Sequence, residues 1–407
     1  MKYKIDELAE IVDGDRGKNY PKQEDFCDNG FCLFLDAGNV TPNGFSFESN
    51  HFITEEKSNS LRKGTMQRGD IAYTTRGTVG NVAYYSDSVP FENIRINSGM
   101  VIIRVKDDTV SASFLYQLLK HESYRKYFKK YCTGSAQPQL PIKIFSKIEI
   151  NIPDRKIQDK IADILSAYDS LIDNNQKQIR LLEEAAQRIY KEWFVDLRFP
   201  GWETTPVVDG VPEGWRINRA DAFFQITIGK TPPRAEKQWF TSGNRGIPWL
   251  SISDMGNAGV YAFEASEGLT EDAVKKHKMK LVPAGTILVS FKLTVGRVTI
   301  TDMEMCTNEA IAHFYIGNNV QRAYTYCYLR NFEYDTLGNT SSISKAVNSQ
   351  IIKAMPFIMP DEKTIADFSE MIAPLLDEIK NKQKTCLKLQ EARNRLLPKL
   401  MSGEIEV

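Results

Sequence analysis

Gly229-Lys230-Thr231 carries the closing letters of a phosphate loop, in which a glycine-rich backbone cradles phosphate oxygens. The position five before Gly229 is Phe224 rather than glycine, so that cradle is missing. Pro360-Asp361-Glu362-Lys363 has the letters of a metal-dependent nuclease without the separated acidic pair that would hold the metal, and an acidic residue there suits a helix cap better. Gly-x-Gly-x-x-Gly does not occur, nor does the Asn/Asp-Pro-Pro-aromatic tetrapeptide with which amino-methyltransferases hold a target amine. The six cysteines form no Cys-x-x-Cys pair and the four histidines are scattered, which supports neither a zinc site nor a disulfide framework. No catalytic, cofactor-binding or metal-ligating set is therefore expected in this chain.

Polar residues do gather at fixed spacing in two strand-turn-strand stretches. Gly69-Asp70-Ile71 and Thr78-Val79-Gly80-Asn81-Val82 recur as Gly285-Thr286-Ile287 and Thr294-Val295-Gly296-Arg297-Val298, a constant shift of 216. Just before the turn the copies diverge, with Thr74-Thr75-Arg76-Gly77 in one and Ser290-Phe291-Lys292-Leu293 in the other. A shared frame with dissimilar polar tips is what two readers of different sequences need; it is equally what drifted duplicates show.

The element that must position these tips is a long helix, present twice. Over residues 155–199, apolar side chains at Ile157, Ile161, Ile164, Tyr168 and Leu171, then Ile179, Leu182, Ala186, Ile189 and Trp193, step by threes and fours along one helical face. With Asp154 as N-cap and no Gly or Pro until Pro200, about 40 residues can run as one helix of roughly 60 Å. Asn174, Asn175 and Gln178 make the middle of its seam polar, a device that fixes register. Shifted by 207, Asn174, Gln176, Lys177, Leu182, Glu184, Ala185 and Arg188 recur as Asn381, Gln383, Lys384, Leu389, Glu391, Ala392 and Arg395. The apolar set Ile161, Ile164, Tyr168, Leu182, Ile189 and Trp193 falls on Phe368, Met371, Leu375, Leu389, Leu396 and Leu400. Generic amphipathicity explains the apolar matches but not the shared polar ones, so the 407 residues are two copies of one unit, a globular block followed by a long helix.

Composition agrees with a soluble protein: 42% apolar, 26% charged, and 52 basic against 52 acidic residues, so any basic surface must be local. No apolar run approaches membrane-spanning length, and the opening residues lack the apolar core of a signal peptide; a cytoplasmic location is expected. In the first block, residues 31–35, 70–75, 81–85 and 100–105 read as strands and 112–131 as a helix with a basic end (Arg125, Lys126, Lys129, Lys130). Pro200, Gly201, Pro206, Gly210, Pro212 and Gly214 mark a linker before the second block. The expected layout is a block at 1–152, a helix at 153–199, linker and second block at 200–359, and a second helix at 360–407. Pro374 falls where the first helix has Ala167, and a kink or a late start is expected there.

Two variable α+β blocks alternating with two long helices resemble the specificity subunit of a type I restriction-modification system. So do Pro153 with Ile157-Gln158, Leu181-Leu182-Glu183-Glu184-Ala185, and the ending Leu396-Leu397-Pro398-Lys399-Leu400-Met401-Ser402-Gly403-Glu404-Ile405. The second helix departs from the pattern, with Thr364-Ile365 where the first has Ile157-Gln158. The resemblance implies an α+β fold of two target recognition domains separated by two long helices packed as an antiparallel coiled coil, with an internal two-fold repeat. It implies that each block reads one half of a split, asymmetric site on double-stranded DNA. It also implies that two methyltransferase subunits, using S-adenosylmethionine to methylate adenine, and two restriction-translocase subunits, using ATP and Mg, are held by a chain that binds no cofactor itself. A two-sided cutting enzyme's specificity subunit or a protein-interaction scaffold are the competing readings.

Under that resemblance the DNA-contacting candidates are the turn tips, Arg76, Thr78 and Asn81 in one block and Lys292, Thr294 and Arg297 in the other. The polar loops that close the blocks add Ser135, Gln137 and Gln139, and Lys345, Asn348 and Gln350. Arg and Lys suit guanine, Asn and Gln suit adenine, and hydroxyls serve phosphates and bases alike. The twelve apolar residues paired above are the expected helix-helix and subunit interface.

Overall fold

The computed structural model describes residues 1–134, 137–208, 210–243, 245–337 and 347–406. Contacts divide the chain into two compact units, Met1–Ile172 with Lys388–Val407, and Asp173–Leu387. The division falls inside both long helices, α3 (Arg155–Tyr190) and α6 (Glu362–Ser402).

In the first unit, β1 (Ala9–Asp13), β2 (Ile71–Thr74), β3 (Val82–Tyr84) and β4 (Met100–Val105) form an antiparallel sheet in the order β1-β4-β2-β3. Side chains alternate across a strand, and both faces here are covered, which is why all of β2 is buried. Ile71, Tyr73, Val101 and Ile103 pack with α1 (Ala112–Lys120) and α2 (Glu122–Lys129). Ala72, Met100 and Ile102 pack on a small sheet of Cys32–Leu35, Phe52–Ile53 and Ile94–Ile96. The single helix expected over 112–131 is broken at His121, whose extended backbone (φ −65°, ψ 140°) ends α1 and caps α2. Its Nδ1 accepts from the Ser123 amide, leaving Nε2 to donate to the Asn394 carbonyl at 2.9 Å.

The second unit repeats this plan. Its strands β5 (Gln225–Ile228), β6 (Tyr261–Ala262), β7 (Ile287–Ser290), β8 (Val298–Thr301) and β9 (Ile311–Tyr315) lie in the order β5-β9-β7-β8-β6. The sequence of neighbours matches the first sheet, with β6 added parallel at the edge of β8. Register matches too: Ile71 faces Tyr84, and 216 residues later Ile287 faces Ile300. One face packs on α5 (Val320–Asn331) and the long helices, the other on α4 (Ile252–Ala258). In each unit an early strand pairs with the last before the long helix that follows the block: Lys2–Lys4 with Glu149–Asn151, and Arg216–Arg219, which follows the small Val207–Val208/Val211–Pro212 hairpin, with Pro356–Met359.

Within the first unit, Ile161, Ala162 and Leu165 of α3 share a core with Leu397 and Leu400 of α6. Within the second, Ala186, Tyr190 and the following Trp193 and Phe194 share one with Ile365, Phe368 and Ile372. The start of one helix meets the end of the other in both units, so the pair is antiparallel.

Three expectations about the helices are corrected. The first does not reach Phe199 as an α-helix; after Tyr190, residues Lys191–Val195 form a π-helical turn and Leu197 takes a left-handed conformation (φ 57°). The wider turn lets the adjacent Trp193 and Phe194 both face the core. The second helix begins directly at Glu362 rather than late, and Pro374 stands within its helical residues. The buried Ile372 and Leu376 hold it on either side of the missing backbone donor. Asp361 caps it, accepting from the Thr364 amide at 3.0 Å and hydroxyl at 2.6 Å.

The buried stripe is also rotated relative to the seam read from the sequence. Ile157, Leu171 and Met371 are exposed, the last by 47%, while Gln158 and Ile372 are fully buried. Gln158 is satisfied inside, accepting from the Ser111 amide at 2.9 Å and donating to the Thr109 carbonyl at 3.0 Å. Ile164, Tyr168, Leu182, Ile189, Leu375, Leu389 and Leu396 lie half-buried at the stripe's edges.

Candidate nucleic-acid interface

The two turns are built on one hydrogen-bond frame, matched atom for atom at the shift of 216. Thr74 ends β2 with a buried hydroxyl that donates to the Thr78 carbonyl at 2.5 Å and accepts from the Asn81 amide at 3.0 Å. Ser290 ends β7 and does the same with Thr294 and Arg297, at 2.5 and 3.0 Å. The Gly80 amide returns to the Thr74 carbonyl at 3.0 Å, and that of Gly296 to Ser290 at 2.9 Å. Both glycines have the positive φ this return requires, 93° and 87°. Either hydroxyl residue satisfies the buried backbone, and the frame uses no side chain of Gly77 and Thr78 in one turn or of Lys292, Leu293 and Thr294 in the other.

Those tips differ. In the first, Arg76 is half-buried and Gly77 and Thr78 are exposed. In the second, Lys292, Leu293 and Thr294 are all exposed. Gly77 has φ 69°, and Leu293, at the matching place, keeps a left-handed φ of 62° despite its side chain, at a cost of roughly 1–2 kcal/mol.

Several expected contacts are already hydrogen-bonded within the chain. Asn81 is 6% exposed; its Nδ2 donates to the Val40 carbonyl at 2.9 Å and its Oδ1 accepts from Arg125 Nη2 at 3.0 Å. Arg297 Nη1 donates to the Ile252 carbonyl at 2.6 Å, in space left by the absent side chain of Gly256. Asn348 caps the short helix Ser349–Lys353, its Oδ1 accepting from the amides of Gln350 and Ile351 at 2.9 and 3.0 Å. Right residue types at the right turn are not enough: their partners, Val40, Arg125 and Ile252, lie far away in sequence and claim the side chains.

The closing loop of the first block is brought to its turn. Gln139 is bridged through its backbone to both Thr133 and Arg76, and Leu140 donates its amide to the Thr75 carbonyl at 2.9 Å. With its amide oxygen turned toward Arg76, Gln139 accepts from Nη2 and Nε at 3.2 and 3.3 Å. Gln137 and Gln350 are exposed, and Ser135 and Lys345 lie outside the described residues.

Beside the first turn opens a cleft of about 610 Å³, lined by Gly77, Thr78, Val79, Asn81, Arg125 and Lys129. Arg125 spends Nη2 on Asn81, but its buried Nε has no partner among the described residues. Arg125 and Lys129 come from α2, whose basic end was legible in the sequence although its place beside the turn was not. A cleft with two cations and glycine backbone at its mouth suits an anion such as a phosphate.

His313, the one fully buried histidine, sits between the hydroxyls of Thr227 (2.9 Å) and Thr307 (2.7 Å), and burial lowers its pKa to about 4. It stays neutral and braces β9. Among the described residues no group of three or more His, Cys, Asp or Glu is placed to hold a metal, and no helix is long and apolar enough to cross a membrane.

Two α+β units of one topology, each presenting a different tip on the same turn frame and joined by an antiparallel helix pair, define a class of duplicated recognition protein. The chain belongs to the family of type I restriction modification DNA specificity domains, whose model matches residues 1–184 and again 212–389. It is 29% identical over 379 residues to the specificity subunit of the type I restriction enzyme MjaIX of Methanocaldococcus jannaschii, covering 87% of this chain and 82% of that one. To the HindI specificity subunit of Haemophilus influenzae it is 24% identical over 464 residues, covering 96% and 98%. Its fold is shared with the S subunit of a type I restriction-modification system from M. genitalium, at TM-score 0.55, 15% identity, and 98% and 95% coverage.

Proposed function

We propose that this chain is the DNA-recognition subunit of a type I restriction-modification complex and reads a bipartite, asymmetric site, one half per block. The observation that carries this is the pair of turns: one hydrogen-bond frame, two different exposed tips. A frame held constant while its tip varies lets two domains of one shape recognise unlike base sequences. The chain itself is non-catalytic in this reading. Two methyltransferase subunits bring S-adenosylmethionine, and two restriction-translocase subunits bring ATP and Mg.

Methylated adenines sequenced from cells carrying this chain with its methyltransferase partner are expected to fall in one split motif with unlike halves. Exchanging residues 1–152 for those of a relative is expected to replace one half and leave the other untouched, provided Ser111 and Thr109 equivalents still meet Gln158. A chimaera that alters both halves overturns independent reading.

Within each block the turn tip, with the half-buried Arg76 in the first and the exposed Lys292 in the second, is the proposed contact. Arg76→Ala is expected to weaken binding by about 1–3 kcal/mol. A loss confined to one position of one half-site assigns Arg76 to a base; a uniform loss with a shallower salt dependence assigns it to a phosphate. Lys292→Ala tests the other block in the same way. If both variants bind and specify the site like the parent, the turns are not the reading surface.

A further inference from the structure

Leu293 carries two features that its turn does not need. Its backbone is left-handed at φ 62°, and its side chain is 94% exposed. The other copy meets the same hydrogen-bond frame with Gly77 at φ 69°, so glycine suffices for the turn. A side chain so exposed adds almost nothing to packing. A strained, solvent-facing leucine held where glycine is adequate points to a contact made with something outside the chain.

The neighbours specify the chemistry of that contact. Leu293 stands between exposed Lys292 and Thr294, with Val295 37% exposed behind them. One apolar group flanked by a cation and a hydroxyl complements a surface where a small apolar group sits among hydrogen-bond acceptors and negative charge. The major groove edge of an A·T pair is such a surface: the thymine C5-methyl projects beside the O4 acceptor, between phosphate backbones, and the groove admits a two-stranded β-ribbon. We propose that Leu293 is a specificity-determining residue of the second block that packs on a thymine methyl group in its half-site. The proposal rests on the reading of the chain as a DNA-recognition subunit.

The test uses the full chain assembled with its methyltransferase subunits, on duplexes carrying the methylated motif. Replacing each thymine of the second half-site by uracil removes only the methyl group. One such position is expected to weaken the parent complex about fourfold. Leu293→Gly and Leu293→Asn, both tolerant of the left-handed backbone, are expected to keep the melting temperature and subunit assembly. Each is expected to bind the all-thymine site about tenfold more weakly and to be indifferent to uracil at that position. Retained affinity and motif in both variants overturn the proposal, as does a second half-site without thymine. Loss in Leu293→Gly but not Leu293→Asn overturns the apolar contact in favour of turn stiffness. Weaker binding that ignores uracil overturns the methyl contact, and lost subunit assembly places Leu293 against protein. A parent complex that binds no duplex specifically refutes instead the underlying reading of the chain, before any variant is compared.

Discussion

Asp169→Ala is expected to destabilise the first unit by about 3–5 kcal/mol, because it strips the counter-charge from two cations that are themselves nearly buried. The carboxylate lies on α3, 14% exposed, with Lys120 of α1 at 3.1 Å, Arg393 of α6 at 2.5 Å and the Gln117 amide at 2.8 Å. Lys120 and Arg393 are 9% and 18% exposed, so neither recovers much solvent when the anion is removed. Three helices meet at this one carboxylate. Burial pushes its pKa up, but Lys120, Gln117 and Arg393 together pull it further down, leaving it below the usual carboxylate range.

The sign of the pH dependence follows. A carboxyl with a folded pKa below its unfolded value stabilises fully above the unfolded value, near about 4, and loses that contribution as pH falls through the lower folded one. Denaturant unfolding of parent and Asp169→Asn, from neutrality into acid, is expected to show a large difference at pH 7 that narrows below about pH 4. A variant that unfolds at the parent's midpoint at pH 7 overturns the assignment of this carboxylate as the junction of the three helices.

Phe368→Ala is expected to cost the second unit about 3–5 kcal/mol by leaving a cavity in an aromatic cluster. Phe368 has no exposed surface, and its ring centroid lies 4.9 Å from that of Phe194, 5.7 Å from Trp193, 6.4 Å from Tyr190 and 6.5 Å from Tyr324. Rings from the end of the first helix and from α5 close on this one side chain at the start of the second, and such a site collapses poorly when emptied. The informative control is Met371→Ala, one turn further along the same helix. With Met371 47% exposed, its loss is expected to stay within about 0.5 kcal/mol. Comparable losses from the two substitutions restore the seam read from the sequence and overturn the rotated stripe.

That pair of residues also separates what was legible from what was not. Duplication, the two long helices and the matching strand-turn-strand segments follow from period and repetition, which are properties of spacing along the chain; the antiparallel pairing of the helices came only with the family resemblance. The strands at 71–74, 82–84 and 100–105 were visible because alternation and β-branched residues mark them directly. The phase of the helical stripe was not legible. Met371 and Ile372, or Ile157 and Gln158, are neighbours separated by one helical step, and hydrophobicity favours the wrong member of the second pair. The amide of Ser111 and the carbonyl of Thr109, supplied by the block, join the carbonyl of Pro153 in making the burial of Gln158 favourable.

The same distinction decides the turns. Their existence and equivalence were fixed by Gly80 and Gly296 at one shift, because a positive-φ return restricts what residue can stand there. Which polar side chains remain free was decided by the fold. Asn81 and Arg297 have the right chemistry and the right sequence position, but a hydrogen-bonding side chain is spent on whatever partner tertiary packing brings within reach, here Val40, Arg125 and Ile252. Conversely, leucine at a turn tip carries no recognisable signal in a sequence. Its left-handed backbone and bare side chain became visible only when the second turn was set beside the glycine that performs the same task in the first, since strain and exposure are properties of a conformation and not of a residue type.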